Sequence, residues 1–300
     1  MTDPAALSAL RSMLVRRAPL AALTGGAYAA AHLPYEQRSD QRALLADWLA
    51  QRLSVLADRP AGAPPLSVLS IGAGDGSVDV PLAARMAAGA RGLRWVVVEP
   101  DPVVGAVCRD RLSGSVRPRP DVRLHAGPFE TLADTVGEEC FDVVLAVHSL
   151  YYVPDLAAAL RAARRRLAPG GTLVTLLAPL EDLCRLTAAV TPPAAPPGAS
   201  GPADSQWWSG DLTRALGPAG LTATVCRITG RLDVTDCFDP GSGDGRLVLD
   251  FLTQARCDGL TATERGVLLD ALRSIATTEG GRLVVEHPVD AVLSTPSSAT

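Results

Sequence analysis

Leu66-Ser67-Val68-Leu69-Ser70-Ile71-Gly72-Ala73-Gly74-Asp75-Gly76 is a mostly apolar run that breaks into glycines. A short apolar segment bounded by turn formers suits a strand buried on both faces, so Leu66 to Ile71 is predicted as one. The glycines read as a turn, and Val78 to Ala88 as the helix behind it. Glycine has no Cβ, so a Gly-rich turn between strand and helix lets backbone N–H groups approach a ligand. Many α/β proteins carry such a turn for structural reasons, but the spacing narrows the choice. A dinucleotide fingerprint needs a third glycine at position 77, which is Ser77 here.

Outward from this unit the alternation repeats. A second strand, Leu93 to Val98, ends in Glu99-Pro100-Asp101. A third is predicted over Val122 to Ala126 and a fourth over Phe141 to Val147, between Gly137-Glu138-Glu139 and His148. Asp155 to Leu167 reads as a helix with Asp155 as N-cap and Leu156, Leu160, Ala163 and Leu167 on one face. Pro169-Gly170-Gly171 stops it, and Thr172 to Leu177 is the fifth strand. Strands alternating with helices predict a parallel, doubly wound sheet. Upstream, Leu45, Trp48, Leu49, Leu53 and Leu56 share one face of a helix over Ser39 to Leu56, which Pro60 to Pro65 ends. Downstream, Thr191 to Ser205 is rich in Pro, Ala, Gly and Ser and reads as a mobile surface loop. Asp211 to Leu216 looks helical and Leu221 to Ile228 extended. Thr261 and Glu264 form a capping box before Leu268, Leu272 and Ile275. Arg282 to Leu293 is a last strand, and Ser294 to Thr300 a loose tail.

Composition excludes some classes. The formal charge is −4 and the pI about 5.6, against the concentrated basic field of a nucleic-acid binder. The one dense basic run, Arg161 to Arg166, reads as the solvated face of a helix. Cys108, Cys140, Cys184, Cys226, Cys237 and Cys257 contain no C-x-x-C pair, which gives a metal site no support. No apolar stretch reaches the ~18 residues a bilayer span needs. No export signal is read, so the expectation is a cytoplasmic protein, monomeric or homodimeric, without nucleic-acid or membrane partners.

The chemistry begins at Gly72, Gly74 and Glu99. A carboxylate at the end of the second strand can accept hydrogen bonds from both hydroxyls of a ribose. With the G-x-G-x-G turn, this suits S-adenosylmethionine better than a dinucleotide, because the methionine part has no pyrophosphate to cradle. The bland alternative for Glu99 is a surface loop residue. Many proteins of this kind carry an acid two positions before the first glycine, and Ser70 stands there instead.

Leu69-Ser70-Ile71-Gly72, Val98-Glu99-Pro100, Leu150-Tyr151-Tyr152-Val153, Gly210-Asp211-Leu212-Thr213, Asp236-Cys237-Phe238 and Asp250-Phe251-Leu252-Thr253 resemble histamine N-methyltransferase. The similarity runs from about Ser67 to Leu293, with a fainter echo near Glu36, and in that family a serine also precedes the Gly-rich turn. The resemblance implies a class I methyltransferase: a Rossmann-like doubly wound sheet, mostly parallel with an antiparallel C-terminal strand, and an added substrate lid of helices and strands. It implies one domain over 1–300, with a helical acceptor-binding part at 1–60 and a cofactor core at 66–178. A mobile loop at 191–205 and a lid with C-terminal strands at 206–293 complete it. Cofactor contacts would fall on Gly72, Gly74, Glu99, Phe129, Val147 and His148. The acceptor would meet Glu36, Tyr151, Tyr152 and Phe251. Apart from the resemblance, Trp207 and Trp208 are expected to supply aromatic walls from another direction. In the family, a glutamate at the position of Glu36 binds the acceptor.

The departures concern the acceptor. The family has amides where this chain has His148 and His287, and Pro179 to Arg185 lacks the aromatic residue expected there. The acceptor is therefore expected to be a small nitrogen nucleophile other than histamine, or a short peptide. His148, His287 and Glu36 are the catalytic candidates, the histidines as proton acceptors near neutrality and Glu36 as the orienting group. The two histidines have bland readings: a buried histidine bonded to a backbone carbonyl for His148, and a packed or edge histidine for His287. Tyr151 and Tyr152 read equally as core residues; His32 and His125 are given no role; Asp239 to Gly245 reads as a turn. Two other functions stay open, a natural-product tailoring enzyme acting on a hydroxyl, carboxylate or peptide terminus, and a cofactor-binding protein without catalysis.

Overall fold

Alternating strands and helices fill the middle of the chain, as the periodicity predicts. The computed structural model describes residues 4–14, 20–58, 62–89, 92–190 and 207–297. Three helices come first: α1 (Pro4–Leu14), α2 (Gly25–Gln37) and α3 (Gln41–Leu53). Then follow β1 (Leu66–Ile71), α4 (Asp79–Gly89), β2 (Leu93–Val98), α5 (Pro102–Ser115) and β3 (Asp121–His125). After the short α6 (Ala133–Val136) come β4 (Phe141–Val147), α7 (Leu156–Arg165) and β5 (Leu167–Leu177). The rest comprises α8 (Asp182–Val190), α9 (Ser209–Leu216), β6 (Leu221–Asp233) and α10 (Gly243–Thr253). Helix α11 (Ala262–Ile275) and the strands β7 (Ala276–Glu279) and β8 (Arg282–Pro296) end it.

The sheet order is β3-β2-β1-β4-β5-β8-β6. All six residues of β1 are buried, because it lies between two parallel partners. Leu66 to Ile71 register with Leu93 to Val98 on one side, and Val68 to Ser70 with Val143 to Leu145 on the other. The polar residues within these strands are matched: Asp142 accepts from the backbone N–H and the hydroxyl of Ser67, at 2.8 and 2.7 Å. Strand β8 runs antiparallel to β5, pairing Leu173 with Ser294 through Leu177 with Asp290. The fold class is thus the expected one, a mostly parallel doubly wound sheet with an antiparallel C-terminal strand.

Several boundaries differ from the expectation. The Pro169-Gly170-Gly171 turn is not the gap between helix and strand. Strand β5 already pairs at Leu167 with Phe141, and the register then jumps to Val143 with Thr172, so the turn bulges out within the strand. The helix expected over Ser39 to Leu56 spans Gln41–Leu53 and tightens into a 3-10 turn over Ser54–Ala57. The tail expected from Ser294 starts later, because Ser294 is buried in the sheet. The loop expected over Thr191 to Ser205 lies outside the described residues.

The chain divides into two units. The larger comprises Ala43–Ala178, Ser200–Arg227 and Asp290–Thr300, and the smaller Met1–Arg42, Pro179–Ala199 and Ile228–Val289. Each has its own apolar core. In the larger, Leu69, Val96, Val144, Leu160, Leu173 and Val292 belong to one buried cluster. In the smaller, Leu10, Leu186, Leu232, Val248, Leu249 and Leu272 belong to another. Among the described residues no helix is long and apolar enough to cross a membrane.

Candidate functional site

In the larger unit the strand order reverses between β1 and β4, and the turns that follow these two strands meet. Gly72 has φ +65°, and a Cβ built on it would lie 2.4 Å from the Cβ of Ser149. Only glycine fits there. Ligands of open α/β sheets bind at such a reversal, outside the carboxyl ends of the strands. Gly74, at φ +57°, has nothing within 4 Å of its Cβ position, so its open side is available to a ligand.

Glu99 follows β2 and braces this turn. Its two oxygens accept from the backbone N–H groups of Gly74 at 3.0 Å and of Asp101 at 3.1 Å. Asp101 caps α5, accepting from Val103 at 2.9 Å and Val104 at 3.1 Å, so Glu99 sits on a fixed strand-to-helix corner. Beneath the turn, Asp79 is buried and accepts from the indole N–H of Trp95 at 3.0 Å and from Ser70. Burial raises its pKa to about 6. The acid absent at position 70 is thus matched by one bonded to Ser70 from the first turn of α4.

The turn after β4 holds His148 at φ +51°, a left-handed conformation uncommon for a residue with a side chain. The Tyr151 ring stacks on it, with centroids 5.9 Å apart and planes 5° from parallel. The Tyr151 hydroxyl accepts the Ala178 N–H at 2.7 Å, and its own hydrogen can go to His148 Nδ1, 3.1 Å away. Next to His148, the Ser149 hydroxyl is buried without a hydrogen-bond partner among the described residues. A buried polar atom in that condition signals a missing polar partner.

The smaller unit carries a second group of candidate side chains. Tyr28, His32 and Tyr35 recur at helical spacing on one face of α2, and Phe251 of α10 meets all three. Its ring centroid lies 5.4 Å from Tyr28, 5.1 Å from His32 and 4.2 Å from Tyr35. Glu36 follows on the same helix. One of its oxygens lies 2.8 Å from Arg42 Nη1 and the other 3.8 Å from His32 Nδ1. His287 is buried, with the Tyr35 hydroxyl 2.7 Å from Nε2 and the Ser39 hydroxyl 3.3 Å from Nδ1. Gln41 donates to its carbonyl at 2.9 Å. Burial pushes the Tyr35 hydroxyl far above the usual phenol range, so it stays protonated.

Comparison with known proteins decides the chemistry. Residues 69–175 match a methyltransferase domain. Histamine N-methyltransferase A of Xenopus laevis is 24% identical over 264 residues, 77% of this chain and 81% of that protein. Histamine N-methyltransferase of Danio rerio is 23% identical over 291 residues, 87% of this chain and 92% of that protein. This chain is an S-adenosylmethionine-dependent methyltransferase. Solved structures share its class I fold. The YcgJ protein of Bacillus subtilis gives a TM-score of 0.55 at 14% identity, covering 84% of this chain and 100% of that one. The plantazolicin methyltransferase BpumL, in complex with S-adenosylhomocysteine, gives 0.51 at 11% identity over 97% of this chain and 99% of that one.

In the methyltransferase, five of the six expected cofactor residues, Gly72, Gly74, Glu99, Val147 and His148, stand at the carboxyl ends of β1, β2 and β4. Phe129 instead opens a 3-10 turn after β3 and is buried in the core of the larger unit. Trp207 packs against the same core and donates its indole N–H to the Val153 carbonyl at 2.8 Å. Tyr151 touches His148, and Tyr152 closes the 3-10 turn over Leu150–Tyr152. In the smaller unit Phe251 and His287 both meet Tyr35, while Glu36, the next residue of α2, meets His32 and Arg42. Sequence reasoning missed Ser149, Asp79, Tyr28, Tyr35 and Arg42, and it gave His32 no role. The i, i+4, i+7, i+8 spacing of Tyr28, His32, Tyr35 and Glu36 is the signal that could have found the α2 face.

Proposed function

We propose that the methyltransferase transfers its methyl group to the nitrogen of a small amine or azole. The observation that carries this is the α2 face, where a carboxylate, Glu36, stands at the end of a row of rings closed by Phe251. Such a face suits a flat nitrogen heterocycle: aromatic rings stack on it, and a carboxylate can take a ring N–H. The histamine N-methyltransferases that the chain resembles support the same acceptor class.

The residues of the larger unit fit the cofactor. Glu99 would accept the ribose hydroxyls, since each of its oxygens keeps a lone pair beyond those given to Gly74 and Asp101. The open side of Gly74 would admit the methionine end, and the buried Ser149 hydroxyl would gain the partner it lacks. Bound S-adenosylmethionine supplies an electrophilic sulfonium methyl. The protein's task is then to hold a nitrogen lone pair in line with it. A neutral azole already has that lone pair. An alkylammonium must first lose a proton, and His148 and His287 are the candidates to take it. Tyr151 and Trp207 are candidates to line the acceptor's path, in a cytoplasmic enzyme; the side chain of Tyr152 lies outside what the structure describes.

A screen with methyl-labelled cofactor tests this. Amines and azoles should accept label, whereas phenols, carboxylates and peptide termini should not. Label appearing only on oxygen, or only on a peptide, would replace this reading with that of a natural-product tailoring enzyme.

A further inference from the structure

Glu36 is not a bare carboxylate. Arg42, the second residue of α3, lies 2.8 Å from one of its oxygens, and His32 faces the other at 3.8 Å. Both partners of the Arg42 pair are about one-third exposed (33% and 32%), so the pair stands at the surface of the ring-lined face rather than inside the core. The other nearby cation, Arg38, is held by Asp236 at 2.6 Å and Asp244 at 3.0 Å. The Glu36 carboxylate therefore has the Arg42 guanidinium within hydrogen-bond range.

We propose that Arg42 neutralises the Glu36 wall, so that the methyltransferase selects a flat azole whose substituents are uncharged or anionic and rejects one bearing an ammonium group. This rests on the reading that the α2 face meets the acceptor. An ammonium brought to Glu36 would also be brought to the guanidinium. The repulsion by the guanidinium then offsets the attraction of the carboxylate for the ammonium. To displace Arg42 instead would strip a charge-assisted hydrogen bond from Glu36. A neutral ring meets neither obstacle. It stacks on Phe251 and Tyr35 and leaves the ion pair in place, while an anionic substituent is drawn to the guanidinium.

Three probes with one ring and different tails separate the possibilities: histamine, 4-ethylimidazole and imidazole-4-propionate. At about pH 8.5 the imidazole is neutral and the alkylamine still charged. Binding is measured by calorimetry on the protein saturated with S-adenosylhomocysteine, and methyl transfer separately with S-adenosylmethionine. The wild type should bind the uncharged and anionic probes about tenfold more tightly than histamine, and Arg42→Gln should erase that preference. Arg42→Lys should keep most of it, and none of the variants should change affinity for S-adenosylhomocysteine. Histamine binding as tightly as the others, no binding of any probe, or an unchanged ranking in Arg42→Gln overturns the proposal. Probes that bind in the expected order but accept no methyl group would leave the charge argument standing and remove the azole N-methylation reading instead.

Discussion

Glu99 braces the Gly-rich turn through Gly74, and the proposed cofactor site gives it a second task, offering acceptors to the ribose. Glu99→Ala should cost about 1.5–3 kcal/mol of S-adenosylhomocysteine affinity, the range for a lost hydrogen bond to a charged group. Calorimetry that finds unchanged affinity would end the assignment. Gly72 is constrained by space as well as conformation, because an added methyl group would meet the Ser149 Cβ at 2.4 Å at a φ of +65°. Gly72→Ala should lower unfolding stability by more than about 2 kcal/mol. Gly114, in α5 with nothing within 4 Å, provides the contrast. Gly114→Ala should leave stability unchanged or raise it by about 0.5 kcal/mol. Urea denaturation of the two variants reads both, and equal losses would show that the contact at Gly72 is not tight.

At the scale of elements, Thr261 and Glu264 cap α11 reciprocally. The Thr261 hydroxyl accepts from Glu264 N–H at 3.3 Å, and Glu264 accepts from Thr261 N–H at 2.7 Å. Thr261→Ala should cost about 1 kcal/mol, seen as a lower denaturant midpoint with an unchanged slope. This cap, like β1, β2 and β4, was legible in the sequence because the signal is local: a capping residue three before a carboxylate, or an unbroken apolar run. Elements with weaker local signals were missed. Helix α2 begins at a glycine pair and contains Pro34, which reads as a break. Helix α5 carries charges through its middle, although Asp101 and Pro102 mark its start plainly. The candidate site divides the same way. Gly72, Gly74 and Glu99 follow from strand ends, so they could be named in advance. His32 read as a lone histidine because its meaning depends on α2 being a helix, and on Phe251 arriving from more than two hundred residues away.

For the molecule as a whole, Asp79 ties stability to pH. Its carboxyl keeps a proton up to about pH 6 in the folded state, whereas the unfolded chain releases it near 3.8. Between those values the native state binds more protons, so this residue's contribution to stability falls as pH rises and is gone above about 6. Asp79→Asn should therefore unfold at higher denaturant than the wild type at pH 7.5, by up to about 3 kcal/mol. The gap should close toward pH 4. A gap of constant size across that range would show that Asp79 is ionised throughout. The cofactor offers a second global readout. S-adenosylhomocysteine at about 100 times its Kd should add about 2.7 kcal/mol of stability, and NAD none, in thermal melts. The sheet itself has a history written into its order. Strand β8 lies between β5 and β6 although it follows both in the chain. During synthesis, Leu173 to Leu177 emerge more than a hundred residues ahead of their partners, Asp290 to Ser294. At ribosomal speed the nascent chain then carries an open apolar edge for roughly ten seconds. A chaperone that shields such edges has that interval in which to act, and the arrival of β8 ends it.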